Sequence, residues 1–265
     1  MSLKKDIYYH SQEKVIETYD YRITRSYEFE HKYITLDRWI SEMKEKGFTR
    51  ILDFGCGTGN VSLHALRSGL SPVAVDTSLE MLKMIKKKIG NEHSSFVRGD
   101  GESLPFRDRS FDAAVCMGVL HHIPDKVRAV KEMIRVVRKG GKIYVAEPFL
   151  TKSVIFKIYD ALLFLPRLAK NIFAGLKNLD TESPVTLEEL ERIKRAVVEE
   201  GKTASSFFYL YPPHLFRFFT NKYQKKIFLL LNRHVKVKKD DDIWKPVQYR
   251  APGTPGNILE VHIQC

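Results

Sequence analysis

Apolar residues along this chain fall into two rhythms: short continuous runs, and spacings of three and four. Ile51, Leu52 and Phe54 make the first run, Val73 to Val75 the second, and Phe96-Val97 the third. Ala113 to Met117 and Ile143 to Ala146 make the fourth and fifth. Runs this short, bounded by glycine, proline and polar clusters, predict buried strands. Between them the pattern turns helical. One helix starts near Asn60, and another opens at Thr77-Ser78-Leu79-Glu80 with capping-box spacing from Thr77 to Glu80. A third carries Val127, Val130, Ile134 and Val137 on one face and is stopped by Gly140-Gly141. Strands alternating with helices predict a parallel sheet covered on both faces. Further on, 204–211 predicts a sixth strand broken by Pro212-Pro213, 214–231 a helix, and 258–263 a last strand of alternating apolar and polar residues.

The first three strands each bring a carboxylate to the sheet edge: Asp53, Asp76 and Asp100. After Asp53 comes Phe54-Gly55-Cys56-Gly57-Thr58-Gly59-Asn60, a glycine turn opening into a helix whose free N–H groups point over the turn. A dinucleotide fold needs G-x-G-x-x-G around a pyrophosphate. Here the pattern is G-x-G-x-G, and Asn60 holds the place of the last motif glycine. The loop carries no Arg or Lys for a phosphate, while Asp76 stands where a ribose-binding carboxylate is expected. The set suits a ligand with ribose, adenine and a cation. A nicotinamide-dependent oxidoreductase is the competing enzyme class.

With these residues in place, the chain resembles the class I S-adenosylmethionine-dependent methyltransferases, and within them the ubiquinone/menaquinone-type group. The resemblance is carried by Leu52 to Gly59, Gly99-Asp100-Gly101-Glu102-Ser103-Leu104-Pro105-Phe106, Phe111-Asp112, Leu120-His121-His122 and Arg138-Lys139-Gly140-Gly141. It implies an α/β, Rossmann-like fold with a seven-stranded, mostly parallel sheet, helices on both faces and an inserted helical lid. It also implies S-adenosylmethionine as cofactor, S-adenosylhomocysteine as product, and no metal. The glycine loop with Asp53, Gly55, Cys56, Gly57 and Gly59 would lie under the methionine portion. Asp76 and Thr77 would hold the ribose, Asp100 and Gly101 the adenine, and Met117 would wall the site. Tyr19, in an N-terminal segment that folds over the cofactor in the family, completes the expected set. Base-amino methyltransferases of this fold carry an Asn/Asp-Pro-Pro-aromatic motif after the fourth strand, where this chain has Cys116-Met117-Gly118-Val119.

Methyl transfer needs in-line attack on a carbon whose leaving group is already part of the cofactor, so the protein contributes mainly binding, alignment and water exclusion. Catalytic residues are therefore harder to read. His121 and His122 follow the fourth strand, and Glu147 ends the fifth; these three are the candidates for proton transfer. Adjacent histidines point in different directions, so at most one of the pair faces the pocket, and packing or capping is the ordinary role for either.

Domain organisation follows: 1–49 an N-terminal helical segment over the cofactor, 50–149 the cofactor-binding core, 150–204 an inserted helical lid, and 205–265 the elements completing the sheet. The segment after Pro148 is rich in apolar and aromatic residues, which suits a small or lipid-like acceptor methylated at carbon or oxygen. Charge adds a second reading. The 265 residues carry a net charge of +12, which permits an RNA acceptor or an anionic membrane surface as well as a merely solvated lysine-rich exterior. Val154 to Leu168 opposite Lys157, Arg167 and Lys170 is an arrangement that fits peripheral membrane contact or ordinary core packing. A non-catalytic cofactor-binding regulator is the third functional class. The three cysteines, Cys56, Cys116 and Cys265, have no C-x-x-C spacing, and no apolar run is long enough to span a bilayer. A reducing, cytoplasmic location is expected.

Overall fold

The computed structural model describes residues 27–90, 95–148, 185–209 and 258–265. In chain order these form α1 (Tyr27–Glu45), β1 (Arg50–Phe54), α2 (Asn60–Arg67), β2 (Ser71–Asp76), α3 (Leu79–Ile89), β3 (Ser95–Arg98), β4 (Phe111–Met117), a 3-10 turn (Leu120–His122), α4 (Lys126–Val136), β5 (Val137–Pro148), α5 (Leu187–Glu199), β6 (Thr203–Tyr209) and β7 (Ile258–Gln264). The strands make one seven-stranded sheet in the order β3-β2-β1-β4-β5-β7-β6. The first five run parallel, and β7 lies antiparallel between β5 and β6. This is the expected Rossmann-like, mostly parallel sheet.

Strand alternation sorts the core into two layers. Leu52, Ala114, Cys116, Ile143 and Val145 face Val130 and Met133 of α4 and Leu190, Ile193 and Val197 of α5. Their neighbours Ile51, Ala113, Val115 and Tyr144 face Trp39, Ile40 and Met43 of α1 and Ala65 of α2. Strands β1, β4 and β5 thus bury both sides, which accounts for their continuous apolar runs.

Several expectations are corrected in detail. The cap of α3 is Ser78, whose hydroxyl accepts from the Met81 amide, rather than Thr77. The reason is that Asp76 takes the Ser78 amide at 2.8 Å and turns the chain one residue later. The Gly140-Gly141 pair does not stop α4, which ends at Val136. It sits in an irregular stretch of β5, where the register with β4 jumps from Phe111↔Val137 to Ala113↔Lys142. There Gly140 donates to the Cys265 carbonyl, and Cys265 donates back to Gly141. Residues 187–199 lie within the segment expected as a lid, yet α5 packs against α4 and the sheet through Leu190, Ile193 and Val197. A capping box at Thr186 and Glu189 starts it, and Glu189 also pairs with Lys126 of α4 at 2.8 Å. The alternation in β7 suggests one polar face, but Glu260 and His262 are both buried. Glu260 accepts from Thr35 and Arg38 of α1, at 3.0 and 2.5 Å, clasping that helix to the sheet. The expected helices at 150–180 and 214–231, with Tyr19, lie outside the described residues.

Candidate cofactor and methyl-transfer site

The chain reverses direction across the sheet between β1 and β4, and ligands of open α/β sheets bind in the crevice outside the strand ends at such a point. A cleft of about 810 Å³, counting its open mouth, lies there. Of the predicted residues it brings together Gly55, Gly57, Asp76, Thr77, Asp100, Gly101 and His122. The glycine turn crosses to β2, with the amides of Gly55 and Cys56 both donating to the Val75 carbonyl. Asp76 then accepts from the Gly57 amide at 2.9 Å through one oxygen and from the Ser78 amide through the other. Its carboxylate is therefore fixed in orientation at the cleft wall by loops on either side. Asp100 accepts from the Glu102 amide at 2.9 Å and shapes the third loop, and Glu102 in turn accepts from the Asp125 amide at 3.0 Å ahead of α4.

Besides these carboxylates, Thr77, Ser78 and His122 are polar lining residues, and Phe54, Val75, Met81, Val119 and Ile123 form an apolar wall. A Cβ on Gly101 would lie 2.6 Å from the Phe54 ring and 3.1 Å from Ile123, so glycine alone leaves a flat slot there. Among the described lining residues there are three carboxylates and neither lysine nor arginine. That donor set fits ribose hydroxyls, a planar base and a cation, and gives a pyrophosphate no counterion.

Other predicted residues stand behind the cleft. Asp53 is buried under the turn, where one oxygen accepts from the Ser62 amide at 3.0 Å and the Ser62 hydroxyl at 2.5 Å. Cys56 packs with Ala74, Leu82 and Ile85, and Met117 packs beside the α1 layer. Gly59 is the cap of α2 and meets Ile85 rather than the cleft. His121 and Glu147 are buried and hydrogen-bonded to each other at 2.7 Å, while His122 faces the cleft. Of the two histidines, then, one lines the pocket. The family-like Asp112 proves to be an anchor: it accepts from the Thr49 and Arg50 amides and from Arg138. Sequence reasoning missed Ser78, Met81, Val119 and Ile123. Ser78 and Met81 were legible as the first turn of a helix following Asp76; Val119 and Ile123 carried no signal of their own.

Burial pushes the Asp53 carboxyl up to about 7, the Ser62 hydrogen bonds opposing and nearby Asp76 reinforcing the rise. A folded-state pKa above the unfolded one means the fold holds this proton more tightly. Its stabilisation is full below about pH 4, falls as pH rises, and is gone above pH 7. Asp53→Asn, which keeps an acceptor for Ser62, should therefore be more stable than the parent at pH 8, by on the order of 1–3 kcal/mol. The gain should vanish near pH 4. Urea unfolding at both pH values checks this; an equal effect at both would show that Asp53 stays ionised in the fold.

The fold is a Rossmann-like α/β domain with a cleft at the ends of its parallel strands. Residues 52–145 match the family described as a methyltransferase domain. Demethylmenaquinone methyltransferase of Renibacterium salmoninarum is 42% identical over 98 residues, covering 37% of this chain and 40% of the relative. The enzyme of the same name from Staphylococcus aureus is 32% identical over 157 residues, covering 57% and 64% respectively. The chain thus spans between 40% and 64% of the length of these curated relatives. Among solved structures, the YcgJ protein of Bacillus subtilis shares the fold at a TM-score of 0.52 and 19% identity, covering 86% of this chain and 95% of that one. An S-adenosylmethionine-dependent methyltransferase from Mesorhizobium loti does so at 0.51 and 16%, covering 82% and 90%.

Proposed function

We propose that the protein is an S-adenosylmethionine-dependent methyltransferase that methylates carbon or oxygen of a small or lipid-like acceptor of quinone type. The observation that carries this reading is the cleft itself, with three carboxylates, a flat apolar slot and no lysine or arginine among its described lining residues. The names of the relatives support the acceptor class. Bound in the cleft, the cofactor would supply a methyl group on a sulfonium, which leaves as a neutral thioether. Asp76 would accept from the ribose hydroxyls, since a carboxylate oxygen accommodates more than one hydrogen bond. Asp100 and Gly101 would meet the adenine, and the Gly55–Gly57 turn would underlie the methionine part. The Phe54, Val119 and Ile123 walls would exclude water during transfer. The protein is proposed to act in the cytoplasm. Among the described residues no helix is long and apolar enough to cross a membrane, and no group of three or more metal-ligating side chains occurs.

The test is incubation with methyl-labelled cofactor and, separately, reduced demethylmenaquinone, bulk tRNA or fractionated cell extract. Label in the quinone or another lipid fraction is the expected result. Label in RNA, with binding that weakens steeply with salt, would replace the acceptor while keeping the enzyme class. Cofactor binding with no label transferred to any fraction would favour a regulator.

A further inference from the structure

Glu147 ends β5 and is 1% exposed, with an apolar hollow lined by Leu120, Val145, Val185 and Leu259 behind it. One carboxylate oxygen accepts from the amides of Val119 at 2.8 Å and Leu120 at 2.9 Å, with the Cys116 thiol at 3.7 Å. The other accepts from Nδ1 of His121 at 2.7 Å and, at 3.4 Å, from the His121 amide. These bonds tie the buried charge to the end of β4 and the turn that follows it. Burial pushes its pKa up, but the His121 bond and the turn amides outweigh this and hold it below the usual carboxylate range. The carboxylate is therefore ionised, and His121 must carry its proton on Nδ1 to donate to it. A buried charge is costly unless its donors are all in place, so any turn conformation that withdraws them is penalised. The next ring along the turn is that of His122, with its centroid 3.9 Å from that of His121 and its plane tilted by 42°. His122 lines the cleft, whereas Glu147 and His121 do not.

We propose that Glu147 is a positioning residue which, through the turn amides and the His121 ring, fixes the imidazole of His122 in the cleft wall. Resting on the methyltransferase reading above, this gives His122 a role toward the acceptor. A bound sulfonium cofactor would supply the methyl carbon and keep the carbon–sulfur bonding pair on sulfur as the acceptor's electron pair attacks. The proton released by the acceptor passes to a ring nitrogen of His122 and then to solvent. His122 is the one imidazole among the described lining residues of the cleft, and its ring nitrogens can accept a proton.

The positioning can be tested without an acceptor, by NMR of the full chain labelled in its histidine rings, with S-adenosylhomocysteine added. His122→Gln assigns the His122 resonances. His121→Phe keeps a ring against His122 but breaks the bond to Glu147; His121→Asn keeps a donor to Glu147 but removes the ring. Glu147→Gln places an amide where two sets of donors converge, and Glu147→Asp retains the charge. We expect the Nδ1–H tautomer at His121 in the parent. The His122 ring resonances should shift in Glu147→Gln and in both His121 variants, and partly return in Glu147→Asp. Affinity for S-adenosylhomocysteine should stay within about threefold of the parent, since Asp76 and Asp100 are untouched. Unchanged His122 resonances in Glu147→Gln and His121→Phe would overturn the proposal; should Glu147→Gln not fold, the two His121 variants decide it. Failure of the parent to bind S-adenosylhomocysteine would instead sink the methyltransferase reading, while the ring resonances still decide the positioning.

Discussion

Asp76→Ala should bind S-adenosylhomocysteine on the order of 30- to 150-fold more weakly than the parent, a loss of about 2–3 kcal/mol. Two contributions combine. The carboxylate is the proposed acceptor for the ribose hydroxyls, and a hydrogen bond to a charged group is worth more than a neutral one. It also accepts the Gly57 and Ser78 amides, and so ties the glycine turn to the start of α3. Removing it leaves two amides facing the cleft and loosens the turn that underlies the methionine part. Asp76→Asn separates these effects, because its carbonyl oxygen can still accept one amide while its NH₂ group opposes the other. Calorimetry with the product should rank parent, Asn and Ala in that order. Undiminished affinity in Asp76→Ala would remove the ribose assignment. Tight binding of NAD by the parent, with none of S-adenosylhomocysteine, would hand the cleft to the oxidoreductase class.

How much of this was legible in the chain follows from how local each signal is. Asp76, Gly57 and Asp100 could be read because Asp76 ends a strand, the other two lie within three residues beyond one, and a parallel sheet brings successive strand ends to one edge. Periodicity also placed α4, since Val127, Val130 and Ile134 share a face whatever they pack against, although Val137 of the same pattern opens β5 instead. Glu260 could not be read in this way. In sequence it is the polar member of an alternating strand, and only Thr35 and Arg38, more than 200 positions earlier, make it a buried clasp. Glu147 presented the same difficulty in another form. A strand-end carboxylate near two histidines suggests proton transfer, but its depth beneath the turn is set by how β5 lies against β4 and β7. Asp53 shows the limit within the motif itself, since its partner is Ser62, inside α2, and not the ligand side of the turn.

The third glycine of the motif separates folding from binding most sharply. Gly59 has φ +82°, the left-handed region, where a residue with a Cβ costs roughly 1–2 kcal/mol. A Cβ there would lie 2.2 Å from Cγ1 and 2.3 Å from Cδ1 of Ile85, a fully buried residue of α3. Ile85 is branched and enclosed, so it has little room to move aside, and overpacking of this kind costs about 1–3 kcal/mol more. Gly59→Ala should therefore destabilise the domain by roughly 2–5 kcal/mol, read by urea unfolding. The two contributions are separable with Ile85→Ala. Shortening Ile85 removes the two closest contacts, leaving its Cβ at 3.1 Å, but not the backbone cost, so Gly59→Ala should be less damaging in the Ile85→Ala background than in the parent. Strict additivity would mean that the clash is relieved by a backbone shift instead. Because Gly59 does not line the cleft, the folded fraction of Gly59→Ala should keep nearly the parent's affinity for S-adenosylhomocysteine. A loss of binding as large as that of Asp76→Ala would show that the turn cannot hold the ligand unless α2 and α3 are packed at this distance.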